Sequence, residues 1–336
     1  MNRLYDDHDI AEALSPKSLE LILLPTEKCN FRCTYCYEDF VLGKMPENVI
    51  NAIKNLIENR TPHIDNLSLS WFGGEPLLAK DIITSITDHA HACCSRHGTR
   101  FHTAITTNGF LLTRELVTQL CEKSSLSMQI TLDGFRDWHD KTRVLANGRG
   151  SFDKLWSNLK SLKTLDSDFS ITLRLHLHSM NIDSMKNLYK LIEQEFGNDH
   201  RFHTYFHKVS DLGGNTVNGA TLLSNSDYLS AMDEIRGKTN PNPDQPISEL
   251  HLKGYICYAA RPNSLLIRSD GTIGKCTVAL NSEKNRIGKI NDDGSLVIDH
   301  DKLHPWFSGY SELSRPTLSC PLATMKSRTH AIQDKS

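Results

Sequence analysis

Three thiols, Cys29, Cys33 and Cys36, stand at CxxxCxxC spacing within Pro25-Thr26-Glu27-Lys28-Cys29-Asn30-Phe31-Arg32-Cys33-Thr34-Tyr35-Cys36-Tyr37-Glu38. Thiols this close on a loop can converge on a soft metal. Structural zinc normally takes four protein ligands, and no further His or Cys follows at finger spacing. Three thiolates suit a four-iron cluster with one iron left open to a cosubstrate. Spacing alone leaves zinc and cluster both open. A second pattern, Trp71-Phe72-Gly73-Gly74-Glu75-Pro76, offers backbone that a ligand can approach closely and a carboxylate that can accept from an ammonium group. Thr107-Asn108-Gly109 and Thr131-Leu132-Asp133-Gly134 are further polar turns.

These patterns need a frame that brings them together. Leu19–Leu24, Leu67–Phe72, Phe101–Thr107, Ser127–Leu132, Phe169–Leu177 and Arg201–Val209 read as strands. Helical periodicity fills the intervals at Pro46–Glu58, Asp81–Arg96, Thr113–Lys123, Phe152–Thr164 and Ile182–Phe196. Six repeated βα units predict a parallel sheet curved into an open, partial (β/α)6 barrel, with its site at the carboxyl ends of the strands. Each motif above falls at such an end. The segment GKTNPNPDQP at 237–246 breaks the pattern, dividing residues 1–236 from a smaller domain at 237–336. In that domain Ser264–Arg268 and Thr272–Cys276 flank Ser269-Asp270-Gly271 and predict a β-hairpin.

Lys and Arg total 38 against 40 Asp and Glu, a formal net charge of -2 that gives no electrostatic reason to expect nucleic acid or an anionic membrane as partner. The start MNRLYDDHDIAEAL lacks the form of a signal peptide, and no stretch reaches membrane-spanning length, so a cytoplasmic protein is expected. Nine cysteines in such a chain favour metal binding over disulfides. Cys93, Cys94 and Cys121 lie in helical patterns and read as packing residues.

CxxxCxxC after the first strand with Gly-Gly-Glu-Pro after the second resembles the radical S-adenosylmethionine (SAM) superfamily, over about residues 17–235. The resemblance implies a 4Fe-4S cluster on Cys29, Cys33 and Cys36, with SAM chelated to the free iron and cleaved by reduction to a 5'-deoxyadenosyl radical. Tyr35 then matches the aromatic residue near the adenine. Gly73, Gly74 and Glu75 match the site of the SAM amino group, and Asn108, Thr131 and Asp133 positions along its ribose and carboxylate. The run His139-Asp140, Arg143, Gly148, Gly150-Ser151-Phe152-Asp153 resembles anaerobic sulfatase maturases and peptide-modifying enzymes. There Arg143 is expected to meet a SAM or substrate carboxylate, although Ser151 could equally cap the helix that follows.

Cys257, Cys276 and Cys320, with the Gly271 hairpin and Asn285–Ile290, resemble a SPASM or twitch domain reduced from seven cysteines to three. Two auxiliary clusters would exceed three thiolates, so a single auxiliary iron-sulfur cluster is expected. By the two-residue strand period Arg174, His176 and His178 share one face, as do His203, Tyr205 and His207. The charged members, Arg174, His176, His178, His203 and His207, are the catalytic candidates.

The function expected is a maturase that takes hydrogen from a ribosomally made peptide or protein and forms a crosslink or an oxidised residue. A flavodoxin- or ferredoxin-like protein is expected as electron donor. The alternatives are formylglycine formation in a sulfatase, small-molecule dehydrogenation on the same scaffold, and a non-enzymatic metal-binding protein, against which the Gly-Gly-Glu motif argues. Only about twenty residues precede the first strand, so a precursor is expected to dock on the existing domains by strand addition.

Overall fold

The protein is described from a computed structural model that covers residues 5, 7–210, 222–237 and 255–325. The first half of the chain runs α1 (Asp7–Leu14), β1 (Ser18–Leu23), β2 (Phe31–Cys33), α2 (Glu47–Arg60), β3 (Asn66–Trp71), α3 (Lys80–His97), β4 (Arg100–Thr107), α4 (Arg114–Cys121) and β5 (Ser125–Leu132). It continues through α5 (Arg136–Thr142), β6 (Arg143–Leu145), α6 (Phe152–Leu162), β7 (Phe169–Leu177), α7 (Ile182–Phe196), β8 (Phe202–Lys208) and α8 (Asn225–Arg236). After residue 254 come β9 (Ser264–Ile267), β10 (Thr272–Gly274), β11 (Gly288–Ile290), β12 (Leu296–Ile298), α9 (His300–Leu303) and α10 (Arg315–Ser319).

All six expected strands form, because alternate residues meet the helices. In β7, Ile171, Leu173, Leu175 and Leu177 are fully buried, while Thr172 and Arg174 face the lumen half-buried. The sheet order is β12-β11-β10-β9-β1-β3-β4-β5-β7-β8, with β9 through β8 parallel and the β9-β10-β11-β12 side antiparallel. Among the described residues β8 and β12 are the edges of the sheet, which does not close into a full barrel. The expected β9–β10 hairpin forms, and its first strand pairs in parallel with β1, Leu21 opposite Leu265. The proposed boundary at 237–246 lies outside the described residues except for Gly237. Among the described residues no helix is long and apolar enough to cross a membrane.

This shared sheet carries a clamp. Arg268, just past β9, donates from Nε to Glu27 Oε1 at 2.9 Å and from Nη2 to Oε2 at 2.6 Å, and from Nη1 to the Leu280 carbonyl at 2.8 Å. Both charged side chains are buried, and Glu27 stands two residues before Cys29. The pair thus fixes the root of the thiol loop to the C-terminal strands. Replacing Arg268 by Met strands a buried carboxylate and should destabilise the fold by about 3–5 kcal/mol. Glu27→Gln added to Arg268→Met should restore much of it. Denaturation midpoints of the two variants check this, and equal midpoints would show that the clamp does not act as a pair.

Candidate active site

The thiol loop is laid directly on the end of β3. Glu75 N donates to the Lys28 carbonyl at 3.0 Å, and a Cβ at Gly73 or Gly74 would fall 2.4 Å from Thr26 O or 2.5 Å from Lys28 O. The two glycines are therefore demanded by the backbone of the thiol loop itself, and Gly73 also has φ +117°. Glu75 is fully buried. Its Oε1 accepts from Leu77 N at 3.0 Å and Thr107 Oγ1 at 2.7 Å, and its Oε2 from Asn108 N at 2.7 Å. Three of a carboxylate's roughly four acceptor sites are filled, which leaves about one for a ligand. Burial raises its pKa, and the three donors oppose that rise. Asn108 Nδ2 then donates to Asn30 Oδ1 at 2.8 Å, tying the end of β4 back to the thiol loop.

A two-stranded ribbon that periodicity does not reveal fixes the other side. β2 pairs with β6, placing Cys33 opposite Arg143. Arg143 is buried and donates from Nη1 to Tyr35 Oη at 2.6 Å; Tyr35 Oη donates to Asp133 Oδ1 at 2.9 Å, and Thr142 Oγ1 to Asp133 Oδ2 at 2.7 Å. Burial pushes the Tyr35 phenol well up, so it stays a donor, and the nearby Arg143 charge favours the Cys33 thiolate against the burial that raises that thiol. The His139-to-Asp153 pattern builds this support. Asp140 Oδ1 accepts from Ser151 N at 2.7 Å and Phe152 N at 2.9 Å, so α6 is capped by the Asp140 carboxylate and not by the Ser151 hydroxyl. The Ser151 hydroxyl donates instead to the Arg143 carbonyl at 2.7 Å. His139 is wholly buried, and its Nδ1 accepts from Asp133 N at 3.4 Å.

Residues 23–192 match the Radical SAM superfamily. The chain belongs to the radical SAM superfamily. Over 191 residues it is 29% identical to a cysteine-type anaerobic sulfatase-maturating enzyme of Clostridium novyi, a match covering 54% of this chain and spanning 50% of that relative's length. Its fold is similar to that of anSMEcpe with bound AdoMet, at 18% identity and a TM-score of 0.63 over 86% of this chain and 84% of that one. It is also similar to that of Streptococcus suis SuiB bound to precursor peptide SuiA, at 16% identity and a TM-score of 0.57 over 91% and 70%.

A radical SAM enzyme uses a 4Fe-4S cluster and SAM, and the thiol loop fits that pair better than it fits zinc. A tetrahedral zinc holds its sulfur ligands roughly 3.8 Å apart. Among the described residues, the one set of three His, Cys, Asp or Glu side chains with all ligand atoms within 4.8 Å lies elsewhere, on α2 and α3. Sulfurs spread wider than one ion requires suit a cubane, which offers each thiolate its own iron. Buried polar atoms without a partner gather around the same end: Arg143 Nε, Arg174 Nε, Glu38 Oε2 and both ring nitrogens of His176. They are groups that a polar ligand would satisfy. Without a metal, burial pushes the Cys29 thiol up to about 12 and Cys36 to about 11, while the Phe31 N–H, 3.3 Å from Cys29 Sγ, favours its thiolate.

Of the five catalytic candidates in this radical SAM enzyme, three come together. Strand register sets Arg174 beside Thr131 and Tyr205, and His176 beside His207, with those two rings 5.6 Å apart and His176 5.3 Å from Tyr35. His178 leaves the group, because its Nε2 accepts from Trp138 Nε1 at 2.8 Å, and His203 is exposed at the start of the edge strand. Asn181, which periodicity passes over, is fully buried and donates to the carbonyls of Asp133 at 2.6 Å and His176 at 2.8 Å. Its place one residue before an apolar helix is the one local signal for it. In the C-terminal part Cys257 N donates to the Leu318 carbonyl at 2.9 Å, and burial raises the Cys257 and Cys276 thiols, with Cys320 among the neighbours that add to the rise.

Burial and the Arg174 charge push His207 down to about 4 from an ordinary 6.5. The unfolded chain takes up that proton near pH 6.5 and the folded chain only near 4, so this contribution is full above 6.5 and is lost as pH falls through 4. Denaturation midpoints followed through this window should fall less steeply in His207→Gln than in the wild type. Parallel curves would contradict a half-buried His207 held neutral.

Proposed function

We propose that this enzyme matures a ribosomally made peptide or protein, removing two hydrogens from it to form a crosslink or a desaturated residue. The observation that carries this is the reach of the fold likeness. Similarity to anSMEcpe and to SuiB with its precursor peptide extends over 86–91% of the chain, well past the matched residues 23–192. The open edge supports a peptide as substrate. Among the described residues β8 ends the sheet, with Tyr205 half exposed, and an extended segment can add to such an edge beside the lumen.

In this reading Cys29, Cys33 and Cys36 hold the 4Fe-4S cluster. Backbone at Gly73–Glu75 and the ends of β4 and β5 at Asn108, Thr131 and Asp133 border SAM. Cys257, Cys276 and Cys320 hold one auxiliary cluster. Bound together, these groups supply a carbon radical that takes hydrogen from substrate and an acceptor for the electron left behind. The chain's own work is positioning and proton control. Arg143 sets its positive charge against Cys33 and fixes the Tyr35 ring, and Tyr35 holds Asp133 in turn. His176 and His207, neutral by burial, stand in the lumen to accept the proton released when substrate loses its second electron. Arg174, with Nε free in the same face, orients a substrate carbonyl or carboxylate. An electron donor of flavodoxin or ferredoxin type feeds the first cluster.

A second reading, oxidation of a sulfatase Cys or Ser to formylglycine, is favoured by the 29% identity to the Clostridium novyi enzyme. Co-expression with a short precursor encoded beside this gene, followed by tandem mass spectrometry, separates the two. Maturation as proposed yields a loss of two hydrogens with every heavy atom retained and no new aldehyde, whereas formylglycine formation replaces sulfur by oxygen at a Cys and, at a Ser, gives the same loss of two hydrogens but leaves an aldehyde that a hydrazide reagent labels. An untouched peptide beside rapid conversion of a free metabolite would overturn both in favour of small-molecule dehydrogenation. Replacing Cys257, Cys276 and Cys320 together by Ala should remove about one cluster's share of iron while SAM cleavage persists. Iron and sulfide equal to wild type would show these thiols to be scaffold.

A further inference from the structure

Cys93 does more than pack. It lies on α3 one turn after His89, so both side chains leave the same helix face, and Glu58 meets them from the last turn of α2. Cys93 Sγ is 2.9 Å from Glu58 Oε2 and 3.4 Å from His89 Nε2, and those two atoms are 3.5 Å apart. All three ligand atoms thus fall within 4.8 Å of one another. Around a tetrahedral zinc with bonds of about 2.0–2.3 Å, neighbouring donors sit roughly 3.3–3.8 Å apart. Two of the three edges already have that length, and the third needs only a few tenths of an ångström.

We propose that Glu58, His89 and Cys93 form a binding site for a zinc-class divalent cation that joins α2 to α3. One thiolate, one imidazole and one carboxylate select zinc or cobalt over magnesium or calcium. The Glu58 and His89 side chains are 42% and 31% exposed, so an ion can enter from solvent, and water takes the fourth position. Arg96 donates to the other carboxylate oxygen, Glu58 Oε1, at 2.5 Å, which turns Oε2 toward the sulfur and the ring. The cysteine gives up its proton as the ion binds. α2 leads into β3 and α3 into β4, so Glu58 and Cys93 stand at the amino ends of the strands, whereas the thiol loop follows the carboxyl end of β1. The ion is therefore no part of the radical chemistry and acts as a cross-link between two outer helices, stabilising them by mass action.

The rival account is a hydrogen-bonded clamp in which the Cys93 thiol and Arg96 both donate to Glu58, His89 Nε2 donates to the Lys54 carbonyl at 3.1 Å, and no ion binds; the ion would have to displace that last bond. The test uses full-length, anaerobically reconstituted holoenzyme, titrated separately with Zn2+ and Co2+. Zinc retained after desalting is counted by mass spectrometry, and cobalt-thiolate charge transfer is read in difference spectra. The wild type should retain one extra zinc per chain and show the charge-transfer band. Cys93→Ala should lose both, and His89→Ala should bind at least about tenfold more weakly, since even indirect support of a metal ligand is worth 10–100-fold. His89 is partly exposed, so that variant keeps the test open should Cys93→Ala fold poorly. Zinc retention equal in wild type and both variants, no retention in wild type, or zinc lost only when Cys29, Cys33 and Cys36 or Cys257, Cys276 and Cys320 are replaced would each overturn the site.

Discussion

Glu75 is fully buried, yet its two oxygens accept three hydrogen bonds from the ends of β3 and β4, and its own N–H holds the Lys28 carbonyl of the thiol loop. A carboxylate in such a place costs several kcal/mol unless its lone pairs are satisfied, so the three loops must adopt one arrangement or none. The thiol loop, the Asn108 turn and the Gly73–Gly74 approach follow from that requirement. Each has its backbone or side-chain polar groups completed by one of the others, which is how a long irregular loop can lie against a sheet end without stranded amides.

A second constraint is charge. Arg143 is buried between Tyr35, Asp133 and the Cys33 backbone, while Arg174, His176 and His207 face the lumen from the next strands. Guanidinium groups stay charged where imidazoles do not, and burial holds these histidines neutral. In the proposed reading the Arg143 charge lies on the cluster side, and on the substrate side the Arg174 charge stands among neutral bases. That division suits a reaction that binds carboxylate-bearing SAM and releases a proton from substrate carbon.

Much of this was legible in the sequence, for local reasons. Strand and helix positions follow from apolar periodicity, and the motifs end up at the strand ends because βα turns are where Gly, Asn and Asp gather. The ribbon of β2 and β6 was not legible, since two three-residue strands far apart in sequence carry no periodicity of their own. Glu27 and Arg268 were missed for the same reason, with 241 positions separating two ordinary charged residues. His178 and His203 share their strand faces with true lumen residues, and only the third dimension shows one tied to Trp138 and the other at the exposed strand start. The Asp140 cap and the Glu58–His89–Cys93 cluster likewise join residues whose partners lie in another element.

Cleavage of SAM is assigned to a cluster that Cys29, Cys33 and Cys36 would hold. Anaerobically reconstituted enzyme, reduced chemically in the presence of SAM, should release 5'-deoxyadenosine. The variant with all three cysteines changed to Ala should release none, while its circular dichroism and its iron bound through Cys257, Cys276 and Cys320 remain. Undiminished deoxyadenosine from that variant would contradict the account.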